Sequence, residues 1–184
     1  QADYVLVSIH SHKFAGLDPV NPAEFMQTYC KACIDAGADA ILGHGPHELQ
    51  GIEIYKGKPI FYSLGNFIFQ TETVSMQPAD AYQNKGMAHD TFVGEYMANR
   101  SQNGTKGYCV LENIWRSVMA GFTAEDGRIT QIQLYPITLS MGAARSKMGN
   151  PTLSDDKVLH YLAELSAPYG TKLNICGNMA TIDL

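Results

Sequence analysis

The sequence predicts an α/β fold, and three observations predict it. A short apolar run opens the chain, Tyr4-Val5-Leu6-Val7-Ser8-Ile9, and it has the character of a strand buried on both faces. An amphipathic segment with a helix-start signature follows, and then a second apolar run, Ala38-Asp39-Ala40-Ile41-Leu42-Gly43. Strand, helix, strand in that order is a βαβ unit, whose two strands lie parallel with a right-handed crossover. The 184 residues correspond to a single domain, or part of one, at roughly 150 residues per domain.

The helix of this unit starts at Asn21-Pro22-Ala23-Glu24, with Asn as N-cap, Pro at the first helical position and Glu completing a capping box. Phe25, Tyr29, Ala32, Cys33 and Ala36 recur at helical spacing as its apolar stripe, and Gly37 stands where a helix-ending glycine belongs. Beyond the second strand, Ile52–Tyr55 and Ile60–Ser63 flank a Lys56-Gly57-Lys58-Pro59 turn and read as a strand pair. Residues 1–69 thus form one section. Residues 70–107 are polar, without a sustained period, and read as a long loop or lid. Residues 108–184 contain two strands, Tyr108–Thr123 and Arg128–Thr138, about an Asp126-Gly127 turn. Val118, Ala120 and Phe122 share one face, as do Ile132 and Leu134, which suits the second sheet of a sandwich. A closing helix follows, with Ser154 as N-cap, Leu153 and Val158 as a hydrophobic staple, and a stripe of Val158, Tyr161, Leu162 and Leu165.

Composition narrows the function. Apolar residues make up 45%, which excludes disorder for the chain as a whole, and charged residues only 17%. Thirteen basic against 18 acidic residues give a net charge of −5, so nucleic acid is not an expected partner. No apolar run approaches a membrane span and no signal-peptide pattern opens the chain. An apolar strand with so short a lead-in suggests that the numbering begins inside a larger protein. Four scattered cysteines do not make a disulfide scaffold, and Cys30-x-x-Cys33 lacks the second pair of a zinc ribbon, so all four read as small hydrophobes.

The histidines carry the chemistry. His10-Ser11-His12 follows the first strand and His44-Gly45-Pro46-His47 follows the second. In a βαβ unit both strand ends lie on one edge of the sheet, with neighbouring strands about 5 Å apart, so nitrogens of His10 and His44 should fall within about 10 Å of each other. That carboxyl edge is where open α/β sheets place ligands. Converging imidazoles suit Zn, Mn, Fe or Ni; the alternative is a set of hydrogen-bonded loop histidines. Ser63-Leu64-Gly65-Asn66 ends the next strand, so Asn66 is either a turn residue or a partner of the histidine cluster.

The stretch Ala36-Gly37-Ala38-Asp39-Ala40-Ile41-Leu42-Gly43-His44-Gly45-Pro46-His47, followed by Gly51 through Tyr62-Ser63-Leu64-Gly65-Asn66-Phe67, resembles the CapA-like poly-γ-glutamate capsule biosynthesis family. The resemblance begins near Asp3, is dense through Phe69, and returns at Leu134-Tyr135-Pro136 and at Tyr161–Gly170. It implies a metallophosphatase-like β-sandwich flanked by helices, related to the calcineurin-like phosphoesterases, with divalent metals at the carboxyl strand ends. By the same resemblance His10, His44 and His47 are metal ligands, while His12 and Asn66 are supporting or substrate-binding residues. His12 has no counterpart in the family pattern, and Lys13 or Phe14 stands where an acidic residue is common. The family's Asp-x-His, Gly-Asp and Asn-His elements do not occur in the sequence, so the chain resembles the carboxyl half of such a domain. The missing amino-terminal half is then an expected partner, a two-metal site is expected only in the full-length protein, and this fragment alone is expected to be inactive. The implied setting is the bacterial cell surface, with a polyanionic polymer or phosphoester-type substrate. The implied activity is either hydrolytic or that of a non-catalytic scaffold or polymer-binding subunit in a membrane complex.

Overall fold

The computed structural model describes residues 2–184, with the side chain of Glu72 also outside the description. Two sheets and four α-helices give a mixed α/β architecture of the metallophosphatase-like sandwich type. The first sheet holds β1 (Leu6–His10), β2 (Ala40–His44), β3 (Ile52–Tyr55) and β4 (Lys58–Phe61), in the order β1-β2-β4-β3. β1, β2 and β4 run parallel and β3 antiparallel. Helix α1 (Glu24–Asp35) makes the crossover from β1 to β2.

The second sheet is antiparallel. β5 (Arg116–Glu125), β6 (Arg128–Thr138), β8 (Asn174–Cys176) and β9 (Met179–Asp183) stand in the order β5-β6-β9-β8, and the short β7 (Thr152–Leu153) also pairs with β6. Between the sheets lies the main core, built from Leu49, Ile52 and Phe61 on one side and Val118, Ile132, Leu134 and Ile182 on the other. Helix α4 (Lys157–Ser166) closes this interior on the β3 side with Val158, Leu159 and Leu162. A second core lies on the outer face of the first sheet, where Met26, Cys30 and Ile34 of α1 cover Ile41, Ile60 and Tyr62.

The starts of β1 and β2 are tied by a charged residue. Asp39 accepts from the Val5 N–H at 2.9 Å and from Lys58 Nζ at 2.9 Å. The lysine bond, aided by the Val5 amide, holds the Asp39 carboxyl below the usual carboxylate range. At the other end of β2 the backbones close up. A Cβ on Gly43 would lie 2.1 Å from the Tyr62 carbonyl oxygen and 2.6 Å from that of Phe61. Only glycine permits this approach of β2 to the chain leaving β4.

Several elements differ from the sequence expectation, each for a physical reason. α1 has Ala23, not Asn21, at its N-cap and no side-chain cap, because Pro22 is drawn into a bridge with Phe14. Its buried stripe is Met26, Cys30 and Ile34; Phe25 and Tyr29 are 53% and 50% exposed. The helix has two apolar faces and only one meets the sheet. β1 is not buried on both faces, since it is an edge strand with Leu6 43% exposed. The β3–β4 turn is only Lys56-Gly57, both at positive φ, so Pro59 belongs to the strand and pairs with Ile54.

The 70–107 segment is not a structureless loop. It contains α2 (Ala79–Gln83) and α3 (Val93–Arg100), joined by a small core of Tyr82, Tyr96 and Met97. β5 begins at Arg116 rather than Tyr108, because residues 107–115 form two 3-10 turns that bury Trp115. α4 starts after Asp156 rather than at Ser154, and Leu153, being 66% exposed in β7, forms no staple. Cys30 is a buried hydrophobe as expected, its thiol pushed up to about 11 by burial, whereas Cys176 is exposed.

Substitution Gly43→Ala should destabilise the chain by about 3 kcal/mol or more, above the usual range for overpacking, because the clash is with backbone that cannot rotate away. Urea denaturation measures it; an unchanged midpoint would mean that β2 and β4 do not approach as described.

Candidate functional site

The parallel pairing of β1 and β2 sets His10 opposite His44 in register. Side chains two residues apart share a face of a strand, so Leu6, Ser8 and His10 point the same way. Their face is the one toward the second sheet, since Leu6 lines the intersheet space with Leu42 while Val7 and Ile9 pack with α1. His10 and His44 therefore meet at the carboxyl end of the sandwich. Their Nδ1 atoms are 2.8 Å apart.

The loops beyond the two strands are held just as closely. The Ser11 amide donates to the His44 carbonyl at 2.9 Å. Gly45 has φ +123°, and a Cβ there would lie 2.4 Å from the Ser11 carbonyl oxygen. The two histidine loops pass at a separation that excludes any side chain at this point. This brings His12 to His10, with Nε2 atoms 2.9 Å apart, and puts the His12 and His47 rings 5.4 Å apart between centroids. All four loop histidines thus gather at one edge, while His89 is exposed in the 70–107 segment and His160 lies on the surface of α4.

Three of the rings form a hydrogen-bonded chain. Ser8 Oγ lies 2.8 Å from His44 Nε2, His44 Nδ1 meets His10 Nδ1, and His10 Nε2 meets His12 Nε2. Each gap holds one proton, and three neutral imidazoles with one N–H apiece satisfy every gap in either direction. Because the two nitrogens of His10 face different partners, the lone pairs point along the chain and not at a common centre. Among the described residues no three His, Cys, Asp or Glu side chains form a ready metal-holding group.

His47 is held separately. It sits at φ +65°, a left-handed conformation that non-glycine residues rarely adopt. Asn66 braces it: Nδ2 donates to the carbonyls of His47 and Ile114, both at 3.1 Å, and Oδ1 lies 2.8 Å from His47 Nδ1. The two carbonyl acceptors fix the amide orientation, so the atom facing the ring is the oxygen. His47 Nδ1 must then carry the proton, and a neutral ring keeps its lone pair on Nε2. Gly65, at φ +75°, makes the turn that aims Asn66 at this ring. Phe69 packs 5.8 Å from the His47 ring and edge-on to Trp115, forming an aromatic wall.

Two further residues belong to the site and were not singled out in the sequence. Ser8 bonds His44, and its signal was present: it is the polar residue two before His10 in an otherwise apolar run. Glu48, next to His47, is buried and accepts from Asn113 at 3.3 Å. Burial raises its carboxyl above the usual range against the lowering effect of that bond, and nearby Asp18 raises it further. Asp18 reaches this region through the loop after His12, where the Pro19 carbonyl accepts from buried Gln50.

With this geometry in view, the comparisons with known proteins are informative. Residues 1–71 match the family described as Bacterial capsule synthesis protein PGA_cap. Over this segment the chain is similar to the CapA-like capsule synthesis family. The matched residues carry β1 to β4 and every residue of the histidine edge from Ser8 to Asn66. The chain is 48% identical over 69 residues to the capsule biosynthesis protein CapA of Bacillus anthracis, covering 37% of this chain and 16% of that protein. It is 47% identical over 68 residues to the PGA biosynthesis protein CapA of Bacillus subtilis, covering 37% of this chain and 17% of that protein. Protein y4sH of Sinorhizobium fredii is 35% identical over 193 residues, covering 100% of this chain and 42% of that protein. The chain therefore spans less than half the length of these relatives.

Two substitutions test this description. Asn66→Ala leaves two carbonyls and the His47 ring without a partner and should lower stability by about 1–3 kcal/mol in urea denaturation. An unchanged midpoint would mean that the Asn66 bonds carry no weight. Glu48→Gln keeps an acceptor for Asn113 and removes a charge whose pKa is raised in the fold. A raised carboxyl penalises folding once the pH exceeds its unfolded value, so the variant should melt higher than wild type at pH 7, by on the order of a few degrees. The gain should vanish as the pH falls below the ordinary carboxylate range; a gain of equal size at low pH would contradict the assignment.

Proposed function

We propose that this chain is the histidine-bearing portion of a bacterial capsule or poly-γ-glutamate biosynthesis-type protein acting at the cell envelope. Its carboxyl sheet edge is the part that handles a divalent metal and a polyanionic or phosphoester-type substrate. The observation that carries the reading is the union of His10 and His44, set by strand register, with a His47 whose Nε2 lone pair is left free by Asn66. The relatives named above supply the biological setting, and no helix among the described residues is long and apolar enough to cross a membrane.

The residues fit part of a metal site. His10, His44 and His47 would hold the cation, because neutral imidazole is a borderline ligand for Mn, Zn or Fe. Among the described residues no carboxylate is hydrogen-bonded to these rings, so these residues supply imidazole ligands and no acidic bridge for a two-metal centre. Nitrogens 2.8–2.9 Å apart would subtend only about 90° at a cation with metal–nitrogen distances near 2.0–2.1 Å. Binding therefore requires the His10 and His44 rings to turn their facing nitrogens toward the cation and give up the proton they share. A bound metal would supply Lewis acidity toward a phosphoryl or carbonyl oxygen. The chain's own contributions are to hold the rings, to fix the His47 tautomer through Asn66, and to wall the site with Phe69.

One observation favours a second reading, a scaffold or polymer-binding subunit without turnover. The chain from Ser8 to His12 satisfies its own hydrogen-bonding capacity without a metal. Calorimetric titration with Mn²⁺ and Zn²⁺ separates the readings. The metal-site reading expects weak binding by residues 1–184, reduced at least tenfold in His44→Ala and, as is typical on losing a ring's supporting partner, about 10–100-fold in Asn66→Ala. Binding that is absent, or indifferent to His44, supports the scaffold. Both readings expect negligible hydrolysis of a generic phosphodiester by this chain alone, and robust metal-dependent turnover would contradict the present account.

A further inference from the structure

Helix α3 ends at Arg100, and the chain folds straight back over that end. Positive φ at Gln102, Asn103 and Gly104 makes the reversal. The Met97 carbonyl accepts from the Ser101 amide and hydroxyl, and that of Ala98 from the Asn103 amide. The Ser101 carbonyl accepts from the amides of Thr105 and Lys106, both at 2.9 Å. Carbonyls that would repel an anion at a helix C-terminus are thereby occupied. The return brings Lys106 and Arg100 to one cavity of about 120 Å³, which Thr71, Ser101, Tyr108 and Cys109 also line. It has room for a few waters, the size of one oxyanion group and not of a whole polymer.

Charge and packing define what this cavity suits. Its described side chains include two cations and no carboxylate. Acidic residues outnumber basic ones in this chain, and Lys31, Lys56, Lys58, Arg116 and Lys157 each have an acidic partner. Arg100 and Lys106 have none among the described residues. The Arg100 guanidinium lies over the Tyr108 ring instead, 5.4 Å from its centroid. That contact uses the face of the fork and leaves its N–H edge for a carboxylate or phosphate, which it can hold bidentately. Tyr108 is itself fixed. Its carbonyl accepts from the indole of buried Trp115 at 2.7 Å, and Phe69 makes a T-shaped contact with its ring.

The same aromatic rings join the cavity to the histidine edge. Tyr108 stands 5.2 Å from Phe69, and Phe69 stands 5.8 Å from His47, between ring centroids. Of the lining residues only Thr71 falls within residues 1–71, which match the capsule synthesis family. The cavity therefore belongs to what this chain carries beyond that match.

We propose that the cavity is an oxyanion subsite. Arg100 and Lys106 hold a carboxylate or phosphoryl group of the polyanionic substrate while another part of the same molecule lies at the histidine edge. The inference rests on the substrate class of the proposed function and adds the residues that anchor it. A polymer with repeating acidic groups occupies both places at once, and each contact raises the effective concentration at the other.

The test titrates the 184-residue chain at low ionic strength with inorganic phosphate and with a γ-linked glutamate pentamer. Fluorescence of Trp115, the chain's one tryptophan, gives the affinity. Alkylation by iodoacetamide, read by mass spectrometry, gives the place: a bound probe should slow the reaction of Cys109 and leave that of exposed Cys176 unchanged. Arg100→Gln and Lys106→Gln should each weaken binding by at least about tenfold, as loss of a charge-assisted hydrogen bond does, without moving the melting temperature. Tighter binding of the pentamer assigns the subsite to a carboxylate of the polymer, and tighter binding of phosphate assigns it to a phosphoryl group. Binding of neither probe, affinity indifferent to both substitutions, or a bound probe that leaves Cys109 unprotected would overturn the proposal. Pentamer binding through Arg100 and Lys106 by a chain that takes up no Mn²⁺ or Zn²⁺ would leave this inference standing and remove the metal-site reading. Metal binding that depends on His44, with pentamer affinity indifferent to Arg100 and Lys106, would do the reverse.

Discussion

The register between β1 and β2 is the constraint on which the rest of the site depends. Side chains alternate along a strand, so a slip of one residue would send His10 to the α1 face and leave His44 alone at the edge. The register is pinned at both ends. Asp39 ties the start of β2 to Val5 and Lys58, and the Ser11–His44 bond ties the far end. Glycine at 45 lets the two histidine loops come close enough for the Ser11–His44 tie to form. The site is in this sense a property of backbone packing before it is one of side chains.

What the packing produces is a hydrogen-bonded array whose lone pairs are already aimed. In the chain from Ser8 to His12 they point at neighbouring rings, so a cation competes with shared protons. At His47 the lone pair faces away from Asn66 and is available. The same edge thus contains a self-satisfied part and an open part. A left-handed residue such as His47 is commonly found where function over-determines the backbone, and here the three bonds of Asn66 do the determining.

Much of this was legible in the sequence. The βαβ order, the two histidine loops at strand ends, the turn at Gly65 and the Asp126-Gly127 hairpin follow from patterns a few residues long. What was missed depends on tertiary context. Asn21 has the chemistry of an N-cap, but the chain there is committed to the Phe14–Pro22 bridge. Phe25 and Tyr29 have helical spacing as good as that of Met26 and Cys30, and periodicity alone could not say which face meets the sheet. The short helices of the 70–107 segment fall below the length at which a period is visible, and the β8–β9 hairpin near the carboxyl terminus was not foreseen. The left-handed φ of His47 has no sequence signature, because it is imposed by residues 19 and more positions away.

Hydrogen bonds orient these rings, and imidazole ¹⁵N NMR on the metal-free chain tests this most directly. The account predicts that His47 carries its proton on Nδ1, with a scalar coupling pattern showing Nε2 unprotonated, and that this assignment is lost in Asn66→Ala. It also predicts one proton shared between the Nδ1 atoms of His10 and His44. Protonation of His47 on Nε2, or a His10 and His44 pair with no shared proton, would contradict it.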